Sequence, residues 1–598
     1  MNSLKVKENM EVGMMNGKRF KHGLKRMMGM MLTACMLGTC LVGCGGTSTI
    51  PGGDTKGQEG NRETDNSKTQ LVVATFDGGL GTSWIWETAA RFEEKYKDVS
   101  FEEGKTGVQV SVVKSGTYGG DVILSSLQYE TADVWFTEDV DYYAHINAGN
   151  FADISDIVTE ELTEYGESRS IEDKIDDDYC SFLNAGTKEE PKYYAIPFYD
   201  GFYGLTYDKD IFAEHNLYFK TSGTENGDAA DSLEFVSSAS DKKSAGVDGV
   251  YGTYDDGLPA TYAQFLKMIG EMVKKDITPF IYGGSNSIQY PVRAMASFWA
   301  QAEGADGYRL NVTFDGTADN LVKLDSNGKM VMGADGTPQL ETLEITESNG
   351  YELQRQVSKY NVLQLFHEIL NNPKNYSESS MMHTAAQSNF LKGKDDNYAT
   401  YGMLIDGSWW VNEADDSFSA LANRLGEDYE KENRNLAFMP LPVANAEDVG
   451  KGSVLLNSNT SLAFVRSNTN VMDCAKAFLQ FSTTDAELSA FTASVSMTRS
   501  FDYKISSDYE NKLTPYGKSI YELKNDSTVI YPYSTSKLFQ NNQSFFSIDD
   551  WAFGTVLGST QYTNPWQLWV TYKDRGTTEE YFEGMYQNQK KQWEALSR

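Results

Sequence analysis

The stretch "YYAIPFYDGFYGLTYDKDIFAEHN", residues 193–216, separates two sets of strand and helix patterns. It reads as two short β-like pieces that are broken by Pro197, Gly201 and Gly204. We interpret it as a connector between two parts of the chain.

Strand and helix patterns alternate before the connector. "LVVATF" (71–76), "VQVSVV" (108–113) and "ADVWFT" (132–137) are short β-branched runs that predict buried strands. Between the first two, residues 83–98 place their apolar side chains on one helical stripe, and Ser83 is a suitable N-cap. This alternation predicts an α/β lobe with a mostly parallel sheet.

A second set of elements follows the connector. Residues 261–275 predict a helix in which Thr261 and Gln264 form a capping box, and 278–284 predict a strand and turn. "YGMLIDGSWWVNEA" (401–414) reads as strand, tight turn and helix. A folded part of more than 500 residues exceeds what one core supports, so we expect at least two discontinuous lobes.

The N-terminus has the layout of an export signal. Residues 18–26 are basic, Met27 to Val42 are uncharged and apolar, and "LVGC" ends at Cys44. This tetrapeptide resembles the bacterial lipobox, in which the cysteine is lipidated and becomes the mature N-terminus. "LTAC" at Cys35 fits the same pattern, but apolar chain follows it, whereas a polar tether follows Cys44.

We therefore predict a signal peptide at 1–43, a lipidated Cys44 with a flexible tether over 44–70, and a binding module over 71–598. The expected location is the outer face of a bacterial cell membrane, with a lipid as the only attachment. An ordinary signal peptide without a lipid is the alternative.

The charge of the chain limits its partners. The formal net charge is -33, and loss of residues 1–43, which carry seven basic and two acidic residues, leaves -38. Such a charge repels nucleic acid and anionic ligands, so it favours a neutral or cationic ligand. Cys180 and Cys474 are the cysteines of the folded part, and we expect two unpaired buried thiols.

Motifs for catalysis or metal binding are weak. The sequence has no H-E-x-x-H, G-x-S-x-G or P-loop motif, and we expect no enzyme and no cofactor. Carboxylates are numerous, so a glycosidase pair stays open as an alternative. Asp248, Asp255 and Asp256 lie in a glycine-rich stretch that could hold calcium, but the EF-hand spacing and its closing glutamate are missing.

Aromatic residues are the more informative signal. The chain has 10 tryptophans and 35 tyrosines, and several tryptophans lie where a strand ends or a helix begins. Ligands bind at the carboxyl ends of strands in α/β sheets. A pyranose has an apolar C–H face that stacks on indole and a rim of hydroxyls that bind carboxylates, although core packing explains most single tryptophans.

Taken in order, these segments resemble family 1 extracellular solute-binding proteins, the maltose-binding-protein-like receptors of carbohydrate ABC importers. "IPFYDGFYGLTYDKDIF" and "MLIDGSWW" are the most specific pieces, and the resemblance covers most of 71–598. The chain departs from the family in long inserts near 218–257 and 305–348, and "VSMTRSF" lacks the usual Gly–Pro turn.

The resemblance implies an α/β, two-lobed periplasmic-binding-protein-like fold of class II type with a hinge. The N-lobe is expected over about 71–195 plus a returning segment, the C-lobe over about 205–500, and a helical region over about 501–598. The implied mechanism is capture of a sugar and its delivery to membrane permease subunits. The long inserts favour an oligosaccharide-sized ligand. A monomer that binds no nucleic acid is expected.

Carried over by position, the resemblance implies a set of ligand-binding residues. Trp409 is the expected stacking aromatic, and Trp410 beside it faces another way. The full expected set is Asp77, Glu138, Asp139, Asp200, Tyr203, Trp299, Trp409, Trp410 and Arg499. A receptor for peptides or other small solutes, a secreted glycan-degrading enzyme and a surface adhesin or sensor partner stay open as alternatives.

Overall fold

The computed structural model describes residues 62–596 except 116–125, 225–226, 286–288, 378–379, 459–460, 555–563 and 572–575. The chain from Thr64 onward forms one compact unit. The predicted signal peptide, Cys44 and most of the tether lie outside the described residues. Among the residues that are described, no helix has both the length and the apolar character needed to cross a membrane.

The strands are short, and most of them are buried. In chain order they are β1 Thr69–Phe76, β2 Val108–Ser115, β3 Val134–Thr137, β4 Ile196–Pro197, β5 Tyr203–Asp208, β6 Thr278–Tyr282, β7 Gly316–Val322, β8 Leu340–Ile345, β9 Tyr401–Gly407, β10 Leu436–Phe438, β11 Ser453–Leu456, β12 Leu462–Val465 and β13 Ser527–Ile530.

The helices vary in length from one turn to a kinked span of 25 residues. They are α1 Ser83–Lys95, α2 Tyr142–Asn147, α3 Ser155–Thr159, α4 Asp177–Leu183, α5 Lys209–Glu214, α6 Tyr262–Lys274, α7 Gln289–Thr313, α8 Val357–Leu370, α9 His383–Lys392, α10 Trp410–Glu413, α11 Asp415–Leu425, α12 Met472–Phe481, α13 Asp485–Val495, α14 Ser507–Glu510, α15 Pro515–Asp526, α16 Lys537–Asn541, α17 Pro565–Thr571 and α18 Thr578–Trp593.

The first sheet has the strand order β2-β1-β3-β12-β4, and we call it and its helices the first lobe. Strand β1 pairs in parallel with β2 and β3, as the alternation of strands and helices predicts. Strand β12 pairs antiparallel with both β3 and β4. Because β12 comes more than 260 residues after β4 in the chain, the first lobe is discontinuous.

The second sheet has the order β10-β5-β9-β6, and we call it and its helices the second lobe. Strand β5 pairs antiparallel with β9 and β10, whereas β6 and β9 are parallel. Thr261 caps the N-terminus of helix α6, and its side chain accepts the Gln264 N–H. The Gln264 side chain accepts from Ala260 N–H, so only half of the predicted capping box forms.

Segments that cross between the sheets hold the lobes together. The predicted connector passes from β4 to β5 through residues 198–202. Gly201 N–H donates to Asn457 Oδ1 at 2.9 Å, and Ser458 N–H donates to Gly201 O at 2.9 Å. Asp200 N–H donates to Thr498 O at 2.9 Å. Three stretches that are distant in sequence therefore meet at the crossing.

The two cysteines of the folded part are unpaired. Cys474 is buried, Cys180 is partly buried, and both are free thiols, as the sequence predicts. Burial raises the pKa of the Cys180 thiol to about 11.

Glu303 precedes Gly304, whose φ of 77° kinks α7, and its carboxylate accepts from Asn320 and Gln356 at 2.7–3.1 Å.

Glu303 makes stability depend on pH. Burial raises its pKa from the ordinary 4.5 to about 7. The folded chain thus binds this proton more tightly than the unfolded chain, and the stabilisation present below about pH 4.5 is lost as the pH rises through about 7. Urea denaturation should show the free energy of unfolding of the native chain falling between pH 5 and 8. In Glu303→Gln this fall should be smaller by about 3 kcal/mol. An equal pH dependence of the free energy of unfolding in the variant and in the native chain would contradict this prediction.

Candidate ligand-binding cleft

The first lobe contributes two adjacent carboxylates, which directly follow β3. Asp139 adopts a positive φ of 54°, which sharpens the turn after the strand. Its side chain is exposed and lines a cavity, whereas Glu138 is partly buried and accepts a hydrogen bond from the Tyr199 hydroxyl. The turn thus presents one carboxylate to the cavity and holds the other against the crossing segment.

The second lobe contributes three aromatic rings that pack edge to face. The Tyr203 and Trp409 rings lie 5.0 Å apart at 86°, and the Tyr290 and Trp409 rings lie 6.2 Å apart at 90°. Tyr203 begins β5, Tyr290 lies in the first turn of α7, and Trp409 follows β9. We call this set the aromatic corner. It brings together rings from the ends of three separate elements.

The two lobes touch at Trp409. An ideal Cβ built on Gly79, in the loop after β1, would lie 2.4 Å from Trp409 Cδ1. Gly79 also has a φ of 74°, which side-chain-bearing residues rarely adopt. Trp409 is only 6% exposed in this arrangement. Glycine at position 79 therefore lets the first lobe approach the indole.

Arg293 on α7 connects the aromatic corner to the C-terminal part of the chain. Its guanidinium donates to Tyr203 Oη and makes two hydrogen bonds with the Asp549 carboxylate, at 2.6 and 2.5 Å. The guanidinium carbon also lies 5.0 Å from the centre of the Tyr203 ring. The bidentate pairing with Asp549 fixes the Arg293 side chain at the edge of the cleft.

A cavity of about 230 Å³ lies beside this pair. Its walls come from the first lobe, the crossing segments, α7 and the C-terminal part, and they include Asp139, Arg293, Tyr308, Asn457, Ser458, Tyr533, Phe539, Gln543, Phe546 and Asp549. Gln543 Nε2 is buried and has no acceptor among the described residues. The cavity therefore combines aromatic walls with polar groups, one of which is an unused donor.

Further carboxylates lie behind Trp409. Asp406, on β9, and Glu413, on α10, both accept from Gln387 Nε2, at 3.1 and 2.8 Å. Burial, followed by the Glu413 charge, holds the pKa of Asp406 well above its usual range. Burial also raises the pKa of Glu413, and burial followed by Asp139 and Glu413 raises that of Glu138. These carboxylates make the cleft acidic.

The sequence of the chain matches a family model described as "Bacterial extracellular solute-binding protein" over residues 81–488. The chain belongs to this family. The matched range includes the second sheet, the first sheet except its strand β1, the first crossing segment and the aromatic corner. No curated protein sequence gives a significant match.

Solved structures of similar fold include several solute-binding proteins. The apo form of RafE from Streptococcus pneumoniae has 14% identity and a TM-score of 0.48, with 88% of this chain and 100% of that one covered. The Thermus thermophilus maltotriose-binding protein has 14% identity and a TM-score of 0.44, with 87% and 99% covered. The cyclic α-maltosyl-1,6-maltose-binding protein of Arthrobacter globiformis has 12% and 0.45, with 88% and 100% covered.

In this solute-binding protein, the expected ligand residues fall into two groups. Glu138, Asp139, Tyr203 and Trp409 come together at the cleft, as described above. Asp77 lies near the same end of the first sheet, where its Oδ2 accepts from Lys114 Nζ at 2.7 Å. These five residues remain candidates for ligand contact.

The other expected residues lie inside the protein. Asp200 accepts from Lys524 Nζ at 2.8 Å, Thr498 Oγ1 at 2.7 Å and Tyr531 Oη at 3.0 Å. Trp299 and Trp410 are both fully buried. Arg499 lies among four phenylalanine rings at 5.2–5.7 Å, and burial lowers its pKa to about 9. In this conformation, protein groups surround all four side chains.

The sequence reasoning missed Tyr290, Arg293, Glu413, Gln543 and Asp549. Glu413 lies four residues after Trp409, so the "MLIDGSWW" motif could have drawn attention to it. Arg293 and Asp549 are 256 positions apart, so only the folded chain brings them together. No local pattern marks such a pair.

A larger cavity, of about 1570 Å³, lies away from this cleft. It is lined by residues of the insert, among them Thr221, Asp228 and Tyr251, and by Glu447 and Val449. Asp255 there is buried and accepts from Asp248 N–H and Thr253 Oγ1. Within the described ranges, no group of three or more His, Cys, Asp or Glu residues is placed to hold a metal ion, so the calcium alternative at Asp248, Asp255 and Asp256 has no support.

Proposed function

We propose that this protein is an exported, lipid-anchored receptor that captures a sugar in the cleft between its lobes and delivers it to the permease of an ABC importer. The observation that carries the proposal is the aromatic corner beside the Asp139-lined cavity. Aromatic faces with a few convergent polar groups suit a ring whose faces are apolar and whose rim carries hydroxyls.

The cavity supplies hydrogen-bonding groups of both kinds. Asp139 and Asp549 offer acceptors, whereas Gln543 Nε2 offers a buried donor. A sugar hydroxyl both donates and accepts, so it can satisfy these groups in pairs. A buried polar group without a partner is costly, and this cost is relieved when a ligand hydroxyl binds there.

The crossing segments provide the hinge for capture. Closure brings Gly79 to Trp409 and excludes water from the cleft, which strengthens the polar contacts to the solute. The closed receptor would then dock on the permease, and Cys44 would keep it near the membrane through a lipid. No bond of the solute is made or broken in this cycle.

Calorimetric titration tests the proposal. The chain without its first 44 residues would be titrated with neutral and amino oligosaccharides of several linkages, and the sugar would be recovered afterwards and analysed by mass. Micromolar binding with intact sugar is the expected result. If no sugar in the panel binds, the sugar assignment is wrong, and peptides or other solutes are favoured. If the sugar is consumed, the protein is an enzyme.

A further inference from the structure

The C-terminal part of the chain contains a segment that contacts both lobes. We call residues 531–552, which directly follow β13, the C-terminal arm. Near its start, the Tyr533 ring stacks on the Phe182 ring of α4, a first-lobe helix, with the ring centres 4.8 Å apart. Near its end, Trp551 Nε1 donates to Asn311 Oδ1 of α7 at 3.0 Å, and α7 packs against the second sheet. The arm therefore bridges the two lobes.

The end of the arm is held firmly in the second lobe. It forms a π-helical turn, Ile548–Ala552, a rare conformation that is frequent at functional sites. The Lys359 ammonium of α8 donates to the carbonyl oxygens of the last two residues of this turn, at 3.0 Å each. Within the turn, Asp549 is paired with Arg293 through both carboxylate oxygens. These contacts fix the position of the Asp549 carboxylate.

The arm supplies most of the described wall of the 230 Å³ cavity in the cleft, including Gln543, Phe546 and Asp549. Behind this wall lies the hydrophobic core, because the Phe546 ring packs against the rings of Phe314 and Trp551, at 5.0 and 5.3 Å. The arm is described without a gap from residue 531 to residue 552. It therefore closes this side of the cavity, so that a solute can enter but cannot extend through the arm.

The volume of the cavity limits how much of a solute it encloses. Sites that bury most of a drug-sized ligand measure about 300–1,000 Å³, and this cavity is smaller. Its volume equals that of about eight water molecules in the liquid, at roughly 30 Å³ each. This space suits one sugar ring. Further rings would lie towards Arg293, which donates to Tyr203 of the aromatic corner.

Two polar groups of the arm are available to the enclosed ring. Gln543 Nε2 is buried and has no acceptor among the described residues. Asp549 already accepts from Arg293, but a carboxylate has about four lone-pair sites and can accept further hydrogen bonds. One hydroxyl of a ring can thus accept from Gln543 while another donates to Asp549.

We propose that the C-terminal arm makes this receptor recognise its solute by one end. A single terminal ring enters the cavity and bonds to Gln543 and Asp549, and the remaining rings lie along the aromatic corner. The proposal rests on the proposed function and narrows its ligand to a sugar with an unblocked, unbranched end. The arm lies beyond residue 488, where the family match ends, so this selectivity comes from a part of the chain outside that match.

End-blocked sugars test the inference without altering the protein. Maltotriose, cellotriose, xylotriose and chitotriose would be titrated by calorimetry into the chain without its first 44 residues. Each would be used free, with a bulky aromatic group on its reducing end, and with the same group on its non-reducing end. For a sugar that binds, we expect the block at one end to weaken binding at least about 10-fold and the block at the other end to weaken it less than about threefold.

Three other outcomes would contradict the inference. If both blocked forms bind as well as the free sugar, no end of the solute is enclosed. If both blocks abolish binding, the cleft encloses the whole sugar and not one end of it. In either case the inference is wrong and the sugar receptor stands. If no sugar of this set or of the wider panel binds, both the inference and the proposed function are wrong.

A variant assigns the effect to the arm. Gln543→Leu keeps the size of the side chain but removes the donor, so it should weaken binding of the free sugar about 5- to 10-fold, as for a lost hydrogen bond. Gln587→Leu, at an exposed position on α18, is the matched control and should bind as the native chain does. Urea denaturation would show that both variants are folded. If Gln543→Leu binds the free sugar with native affinity, the arm does not recognise the solute and the inference is wrong.

Discussion

Replacing Asp200 by alanine is expected to lower the free energy of unfolding by about 3–5 kcal/mol, because the change leaves the Lys524 ammonium buried without the Asp200 carboxylate. The two side chains are 0% and 9% exposed, and Lys524 Nζ lies 2.8 Å from Asp200 Oδ2. Thr498 Oγ1 and Tyr531 Oη would lose their acceptors in the same step. The contacts that Asp200→Ala removes lie where the crossing segments meet.

Urea denaturation of the native chain and of Asp200→Ala measures this effect. Asp448→Ala is the matched control, since it breaks an ion pair with Lys451 whose side chains are 28% and 68% exposed. Such a pair contributes about 0–1 kcal/mol, so the control should stay close to the native chain. The double change Asp200→Ala with Lys524→Met should recover part of the loss. A loss below 1 kcal/mol for Asp200→Ala would refute the role given to this network.

Asp200 also illustrates how far a sequence motif can be taken. The motif around residues 196–212 correctly predicts a segment that crosses between the sheets: Pro197 ends β4 and Gly201 lies in the crossing, whereas Gly204 lies inside β5. It does not predict side-chain direction. Tyr199 reaches Glu138, whereas Asp200, next in the chain, turns towards Lys524. Neighbours on an extended segment point to opposite sides, and only the folded surroundings decide which side faces the cleft.

The strands of the first lobe could be predicted because their signal is local. β1 and β3 are short runs of buried β-branched and aromatic residues, and the parallel pairing follows from the helices between them. The cleft was only half predictable for the opposite reason. Glu138 and Trp409 lie at strand ends, where position implies function, but Gln543 and Asp549 join them through a chain return that no local pattern encodes.

Trp409 and Trp410 are adjacent, yet their replacements are expected to have separate effects. Trp409 packs at the cleft against Gly79 and Tyr203, so Trp409→Ala should weaken solute binding by about 30-fold or more, as for an aromatic hot spot. Trp410 is fully buried, packs against Phe418, and donates through Nε1 to Thr206 Oγ1 at 3.0 Å. Trp410→Ala should therefore lower the free energy of unfolding by about 3–5 kcal/mol.

Measuring both variants by calorimetric titration and by urea denaturation separates the two roles. Each variant serves as the control for the other, because the change in side-chain volume is identical and the positions differ by one residue. If Trp410→Ala lost affinity while it kept its stability, the indole that faces the solute would be the second of the pair. If Trp409→Ala lost stability but kept full affinity, the aromatic corner would be a packing contact between closed lobes. If Trp409→Ala loses affinity and Trp410→Ala loses stability, the solute binds where Gly79 of the first lobe meets Trp409 of the second lobe. Closure of the lobes would then complete the binding site.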